Sequence, residues 1–247
     1  ENYAQVVVEE DPETKKKSVK QIFPRYHQLD CVEKLLADVK ENGIGKRYLI
    51  QHSAGSGKSN SISWLAHQLI GLERDGHPMI DSVLVVTDRR ILDKQIRDNI
   101  KQFMQVANTV AWAEHSGDLR KAIQDGKRII VTTSERFPYV VPDIGASNKQ
   151  NRFAVIIDEA HSGQSGRNSA QMNLALSGLA SEDEMDNEDK INAMMEGRKL
   201  LTNASYFAFT ATPKNKTLET FGVPYQDGDD VKHRPFHVYT MKQAIQE

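Results

Sequence analysis

Cysteine is almost absent from this chain, since Cys31 is its single cysteine among 247 residues. An intrachain disulfide is therefore impossible, and a cysteine-rich zinc site is excluded. No apolar run approaches the ~18–20 residues that span a bilayer. The first residues also lack the basic and apolar stretches of a signal peptide. These absences favour a reducing, cytoplasmic setting with no membrane partner.

The chain also lacks a strong excess of either charge, because 32 basic and 34 acidic residues leave a formal net charge of −2. This balance excludes a strongly basic nucleic-acid binder, so any DNA contact must come from a local patch. The length suits one large α/β domain with irregular additions. Because the chain begins with Glu1 rather than methionine, we expect it to be a fragment of a longer protein.

Short apolar runs alternate with segments of helical periodicity along most of the chain. The runs are continuous rather than alternating, as in strands that are covered on both faces. Alternating strands and helices predict an α/β fold with a mostly parallel, doubly wound sheet. Predicted strands lie at 48–51, 82–87, 109–112, 128–133, 153–158 and 206–210, and predicted helices at 24–42, 58–73, 92–103 and 118–124.

The two ends of the chain depart from this alternation. Residues 5–8 and 18–23 read as two short strands joined by a turn, which predicts an N-terminal β-hairpin. We therefore expect residues 1–23 to be an extension or a linker from an upstream domain, and 24–235 to be the α/β domain. Residues 236–247 read either as a final strand or as a linker.

A glycine-rich loop connects the first strand of the domain to a helix. Glycines at 55 and 57 allow the backbone to curl around a phosphate, Lys58 would bridge the β- and γ-phosphates, and Ser59 would bind Mg²⁺. The usual pattern, G-x-x-x-x-G-K-[ST], begins with glycine, whereas this chain has His52 there. The loop predicts ATP and Mg²⁺ as cofactors, with the phosphates held by Ala54, Gly55, Ser56, Gly57, Lys58 and Ser59.

A second motif, Asp158-Glu159-Ala160-His161, follows a predicted strand about a hundred residues after the loop. Asp158, at the strand end, suits Mg²⁺, and Glu159 suits orientation and deprotonation of the attacking water. Lys58, Asp158 and Glu159 are the predicted catalytic residues. His161 is either a part of the energy-coupling machinery or a hydrogen-bonded structural side chain.

Six ordered segments together resemble the superfamily 2 helicases and translocases with a DEAH box, and specifically the motor (R) subunit of type I restriction enzymes. The resemblance extends from residue 23 to 247. It implies a RecA-like, P-loop fold in which two lobes bind ATP between them, and it makes residues 24–235 the first lobe. The segments are FPRYHQ (23–28), HSAGSGKS (52–59), VVTDRR (85–90), VTT (131–133), DEAH (158–161) and FTATP (209–213).

The resemblance also implies roles for single residues. Gln28 would read adenine, with Arg25 bracing the base, although a surface helix residue is the alternative for Gln28. Polar strand ends would hold the DNA backbone without reading sequence, or simply be polar because strands end there. The implied DNA contacts are Thr87, Arg89, Arg90, Thr132, Thr133 and Ser134, and the implied coupling residues are His161, Thr210, Ala211 and Thr212.

The resulting hypothesis is the ATP-binding lobe of a translocase that pumps double-stranded DNA in a type I restriction complex. Implied partners are methylation and specificity subunits, and a second RecA-like lobe and a nuclease domain on the same polypeptide. Because an arginine of the second lobe would complete the site, we expect the lobe alone to hydrolyse ATP poorly. A strand-separating DNA repair or RNA helicase is one alternative, and a nucleotide-gated module for subunit docking is another.

Overall fold

The structure is a computed structural model that describes residues 5–10, 17–87, 110–113, 116–134, 137, 151–158 and 203–246. Within these ranges it contains five helices and thirteen strands. The helices are α1 (Tyr26–Asn42), α2 (Lys58–Ile70), α3 (Ser116–Gln124), α4 (Asn215–Phe221) and α5 (Met241–Gln246). The strands are β1 (Gln5–Glu10), β2 (Lys17–Ile22), β3 (Arg47–His52), β4 (Glu73–Arg74), β5 (His77–Pro78), β6 (Ser82–Thr87), β7 (Val110–Trp112), β8 (Ile129–Thr133), β9 (Phe153–Ile157), β10 (Ala204–Thr210), β11 (Val223–Asp227), β12 (Asp230–Arg234) and β13 (His237–Tyr239).

Seven of the described strands form one sheet in the order β13-β3-β10-β9-β6-β8-β7. Every neighbouring pair in this sheet is parallel. The predicted α/β fold with a mostly parallel sheet is therefore confirmed. The predicted N-terminal hairpin is also present, as the antiparallel pair β1 and β2.

Both faces of the sheet are covered, which explains why its strands read as continuous apolar runs. Along β6, Val83 and Val85 join one buried cluster, whereas Leu84 and Val86 join the other, because successive side chains point to opposite faces. Helices α1 and α2 contribute Leu35, Leu65 and Leu69 to the first cluster. Helices α3 and α4 supply Ile123 and Phe221 to the second.

Helix α2 ends at Ile70, three residues before the predicted end, and a two-residue hairpin turn follows. Arg128 donates a hydrogen bond to the carbonyl of Ile70 at 2.7 Å, which satisfies one of the free carbonyls at the helix end. The pair Asp75-Gly76, with φ of 53° and 77°, then joins β4 to β5. Asp-Gly is a strong hairpin signal, so the sequence offered this turn and the prediction overlooked it.

The prediction also omitted the hairpin formed by β11 and β12 and the helices α4 and α5. The predicted helix at 92–103 lies outside the described residues. Among the residues that the structure does describe, no helix has the length and apolar character needed to cross a membrane.

Candidate nucleotide site at the carboxyl edge of the sheet

The residues singled out by their motifs meet at one edge of the sheet, because parallel strands share the edge at which their carboxyl ends lie. The glycine-rich loop follows β3, residues 211–212 follow β10 and Asp158 follows β9, and these are consecutive strands. With strands ~4.8 Å apart, Asp158 starts about 10 Å across the sheet from the loop, whereas the end of β8 starts about 19 Å away. The loop, the residues after β10 and Asp158 therefore form one local group.

The backbone of the loop needs glycine at two positions. Gly55 and Gly57 have φ of 78° and 79°, in the left-handed region that side chains disfavour. Helix α2 begins directly after Gly57, whose carbonyl accepts hydrogen bonds from the N–H groups of Asn60 and Ser61 at 3.0 and 3.2 Å. The loop therefore ends on a helix N-terminus, where the helix dipole favours an anion.

Two serine hydroxyls of the loop are buried without a hydrogen-bond partner in the described part of the chain. Ser53 and Ser56 are 8% and 4% exposed, and neither Oγ has a partner there. A buried hydroxyl without a partner is costly, and a phosphate oxygen would accept from it. Beside them, an added Cβ on Gly55 would have nothing within 4 Å. These observations fit an ATP phosphate chain.

Gln28 lies under the loop and contacts its backbone. Its Nε2 donates to the carbonyls of Ser56 and Gly57 at 3.2 and 3.1 Å, and its Oε1 accepts from the N–H of Arg25 at 2.8 Å. The side chain is 3% exposed, so it is not the surface helix residue of the alternative interpretation. Both N–H groups of the amide are engaged by the loop, and adenine recognition by Gln28 and the exposed Arg25 stays a prediction.

The close approach of Gln28 gives Gly57 a second reason to be glycine. A Cβ at position 57 would lie 2.5 Å from Gln28 Nε2, far inside contact distance. Gly55 has the same φ but open space around it. The two glycines of the motif therefore have different functions in the structure.

Asp158 and Ser59 are the two residues predicted to bind Mg²⁺. Asp158 follows β9, is 4% exposed, and is anchored by its N–H, which donates to the carbonyl of Val86 at 2.8 Å. Ser59 lies in the first turn of α2, and Lys58, 9% exposed, begins that helix. Hydroxyl and carboxylate oxygens suit this hard cation, so the donor set fits Mg²⁺.

Three of the four predicted coupling residues, Thr210, Ala211 and Thr212, lie between these groups. Thr210 ends β10 and is fully buried, Ala211 is half-buried and Thr212 is exposed. Since β10 separates β3 from β9, this segment separates the glycine-rich loop from Asp158. A coupling function stays a prediction.

The predicted DNA contacts at the ends of β6 and β8 have buried side chains. Thr87 donates to the carbonyl of Thr132 at 3.4 Å, and Thr132, Thr133 and Ser134 are all at most 5% exposed. Within the described ranges none of these last three hydroxyls has a hydrogen-bond partner. DNA contact by these residues stays a prediction. Glu159, His161, Arg89 and Arg90 lie outside the described residues.

Three histidines beneath the loop were not anticipated. His27 donates from Nε2 to the carbonyl of Ser56 at 3.0 Å, and its ring stacks on Tyr239 with 3.6 Å between centroids. His52 Nε2 lies 2.8 Å from His237 Nδ1, although 185 residues separate them. The sequence signal for His52 was that the usual motif has glycine at this position. The local sequence did not indicate that β13 would bring His237 next to His52.

Burial keeps the pair of histidines neutral. It lowers the pKa of His52 to about 3. Burial also lowers the pKa of His237, although the nearby carboxylate of Asp30 acts in the opposite direction. Both rings are therefore uncharged near neutral pH and can form an N–H···N bond.

Cys31 completes a cluster with the ligand types of a zinc site, since its sulfur and a nitrogen from each of His52 and His237 lie within 4.8 Å of one another. The separation of the nitrogens opposes that interpretation. Two nitrogens on one tetrahedral zinc at 2.0–2.1 Å stand about 3.3 Å apart, whereas here they are 2.8 Å apart and hydrogen-bonded. Burial also raises the pKa of the Cys31 thiol, which disfavours the thiolate that would bind metal.

Comparison with known proteins assigns the chain to a family. The sequence profile of the SWI2/SNF2 ATPases matches residues 27–247. The chain belongs to the SWI2/SNF2 ATPase family. This places it among the superfamily 2 ATPase motors, and the predicted resemblance to type I restriction enzyme subunits is confirmed by its relatives.

Two curated relatives illustrate this similarity. The HindI type I restriction enzyme endonuclease subunit of Haemophilus influenzae is 27% identical over 94% of this chain and 20% of its own length. A Mycoplasma pneumoniae protein, described as the C-terminal part of a type I restriction enzyme endonuclease subunit, is 31% identical over 58% of this chain and 73% of its own length. The chain spans about a fifth of the length of the longer relatives.

Solved structures agree on the fold. The DNA-bound type ISP restriction-modification enzyme LlaBIII is similar with a TM-score of 0.57 and 16% identity, over 95% of this chain and 16% of that one. The SWI2/SNF2 ATPase core of Sulfolobus solfataricus is similar with a TM-score of 0.50 and 16% identity, over 81% of this chain and 35% of that one. The sheet of this chain therefore resembles that of RecA-like helicase lobes.

Proposed function

We propose that this chain is the ATP-binding motor lobe of a double-stranded DNA translocase, the restriction subunit of a type I restriction enzyme. The observation that carries the proposal is the glycine-rich loop, whose buried Ser53 and Ser56 hydroxyls lack partners and which shares one sheet edge with Asp158. Membership of an ATPase family supports the nucleotide. Type I restriction relatives support the restriction complex.

In this proposal the loop binds the phosphates of ATP through backbone N–H groups, the N-terminus of α2 and Lys58. Ser59 and Asp158 would hold Mg²⁺, which when bound neutralises charge on the phosphates. Glu159 orients the attacking water and takes its proton. Catalysis by such a site is mostly positioning and electrostatic stabilisation.

The proposed path from ATP to DNA follows the carboxyl edge of the sheet. Residues 210–212 lie beside both the loop and Asp158, so a shift in either would reach them directly. The carboxyl ends of β6 and β8, with Thr87 and Thr132–Ser134, would hold the DNA backbone together with Arg89 and Arg90, which follow β6 in the sequence. Backbone contacts carry no sequence information, so the site recognised would be read by a specificity subunit.

The proposal assigns residues 24–235 to the first RecA-like lobe, 1–23 to an extension and 236–247 to the connection towards a second lobe. Because the two longer relatives are about five times as long, the nuclease domain and the second lobe would belong to the rest of the polypeptide. An arginine from a partner element is typically worth ~10³–10⁵ in rate. The 247-residue chain is therefore expected to bind Mg·ATP and to hydrolyse it slowly.

The test is ATP hydrolysis by the full-length protein with and without linear duplex DNA, with Lys58→Ala as the blank. Strong stimulation by DNA, lost in the variant, is the expected result. Nucleotide binding without DNA-stimulated hydrolysis would refute the motor function and favour a nucleotide-gated docking module. Displacement of a triplex strand without separation of the duplex would then distinguish translocation from unwinding.

A further inference from the structure

A chain of hydrogen bonds connects helix α1, strand β13 and the first residue of the glycine-rich motif. Asp30 Oδ2 lies 3.0 Å from His237 Nε2, and His237 Nδ1 lies 2.8 Å from His52 Nε2. The imidazoles of His237 and His52 are 8% and 0% exposed. Asp30 belongs to α1, His237 begins β13 and His52 ends β3, so three separate elements meet in one chain.

The chemistry of the partners determines where the protons lie. A carboxylate can only accept, so His237 carries its proton on Nε2 and donates to Asp30. The Nδ1 atom of neutral His237 is then an acceptor, and His52 must donate to it from Nε2. His52 Nδ1 is left as a buried acceptor without a partner among the described residues. The hydrogen bonds therefore run in one direction: His52 donates to His237, and His237 donates to Asp30.

The groups around the chain favour this neutral arrangement. Lys58 and His27 face His52, and the positive charge of either would oppose a charge on His52. Around His237, Lys34 and His27 act in the same way, whereas Asp30 alone favours a positive charge. The carboxylate itself is ionised, because its hydrogen bond with Lys34 lowers the pKa of Asp30.

Neighbouring contacts also connect strand β13 and helix α1 to the loop. The N–H of Ser53 donates to the carbonyl of Tyr239 at 2.9 Å, so the start of the loop is bonded to β13. His27 stacks on Tyr239 and donates to the carbonyl of Ser56 at 3.0 Å. The usual motif has glycine at position 52 and therefore no side chain there; this chain has an imidazole that reaches across to β13.

We propose that Asp30, His237 and His52 are positioning residues for nucleotide binding, which set where the phosphate-binding loop leaves β3 and tie that position to the edge strand β13. The proposal rests on the proposed function, since it concerns the same nucleotide site. If β13 moves relative to β3, the hydrogen bond between His237 and His52 breaks, and the start of the loop is no longer held in place. Edge strand β13 would thereby control the affinity for the nucleotide.

The test compares two substitutions of His237 in the 247-residue chain. In His237→Gln the amide can still accept from His52 and donate to Asp30, whereas His237→Phe keeps a ring and does neither. Affinity for a fluorescent ADP analogue with Mg²⁺ is expected to fall roughly tenfold in the Phe variant, because a loop that is no longer held in place must be ordered when the nucleotide binds. The Gln variant is expected to stay within about threefold of the parent. Urea unfolding of each variant separates affinity from stability.

A second variant and a spectroscopic signature keep the test decisive if the Phe variant does not fold. Asp30→Ala removes the acceptor of the His237 hydrogen bond but leaves both imidazole rings in place. It too should weaken nucleotide binding. Nitrogen-15 NMR of the imidazoles should show both His52 and His237 as Nε2–H tautomers at neutral pH. An Nδ1–H tautomer of His52, or unchanged nucleotide affinity in both the Phe and Ala variants, would overturn the proposal.

Two controls distinguish this outcome from other failures. If the parent chain binds the analogue no better than Lys58→Ala, the proposed nucleotide site itself fails and the positioning function with it. If the parent binds and the His237 variants bind equally well, only the positioning function fails. A melting temperature that rises with Zn²⁺ in the parent but not in Cys31→Ser would overturn the hydrogen-bonded chain in favour of a metal site.

Discussion

Replacement of Gly57 by alanine tests whether Gln28 supports the phosphate-binding loop. Gly57 and Gly55 have nearly the same positive φ, 79° and 78°, which side chains disfavour, so alanine at either position costs about 1–2 kcal/mol. Only at position 57 does the new Cβ collide, because it would lie 2.5 Å from Gln28 Nε2. Gly55→Ala is therefore a matched control for the backbone cost.

The additional cost at position 57 follows from the hydrogen bonds that Gln28 must give up. Its amide donates to the carbonyls of Ser56 and Gly57, and each such bond contributes roughly 0.5–1.5 kcal/mol net. Gly57→Ala should thus lower the free energy of unfolding by about 1–3 kcal/mol more than Gly55→Ala. In a Gln28→Ala background this excess should disappear, since no amide remains for the Cβ to displace.

Urea unfolding of the three single variants, and of the two double variants that combine Gln28→Ala with either glycine substitution, measures these differences directly. The reasoning is refuted if the two glycine variants lose equal stability, or if the excess cost of Gly57→Ala persists after Gln28 has been removed. Either result would mean that Gln28 does not support the loop. A normal unfolding slope in all variants is the control for two-state behaviour.

Three further predictions concern the site. Lys58→Ala should weaken binding of Mg·ATP by roughly 1.5–3 kcal/mol, the usual cost of a lost charge-assisted hydrogen bond; titration calorimetry checks this, and unchanged affinity would remove Lys58 from the site. Glu159→Gln should leave nucleotide affinity intact and cripple hydrolysis in the full-length protein, and parental turnover would reject its water-activating function. Acid should destabilise the chain between about pH 6.5 and about pH 3, because the unfolded state protonates His52 while the folded state, with its lowered pKa, does not. The free energy of unfolding should therefore rise with pH in this window, by at most about 1.4 kcal/mol per pH unit for this one proton; His52→Asn should flatten the slope, and an unchanged slope would contradict the assignment.

Strand positions were predictable because each buried strand is a continuous apolar run. Residues 82–87 form β6 as predicted, and β3, β8, β9 and β10 lie within two residues of their predicted bounds. The hairpin β4–β5 was missed although Asp75-Gly76 indicated it. The local sequence is sufficient to predict this turn, because Asp-Gly favours the positive φ values that a two-residue hairpin turn requires.

The surroundings of the site were less predictable. Gln28 was identified from its motif, yet its hydrogen bonds to Ser56 and Gly57 depend on how α1 packs under the loop. Burial of Thr132 and Thr133 depends on neighbours across the sheet edge, and their residue types are equally compatible with an exposed strand end. Such contacts join residues that are distant in the chain, and no periodicity records them.

Local sequence was sufficient for the α/β alternation, the glycine-rich loop and the aspartate at the end of β9, because apolar periodicity and glycine conformation act over only a few residues. Packing in three dimensions decided the order of the strands across the sheet, the contact of Gln28 with the loop and the meeting of Asp30, His52 and His237. The physical reason is that His52 and His237 become partners only when β13 pairs with β3. That pairing exists only in the folded sheet.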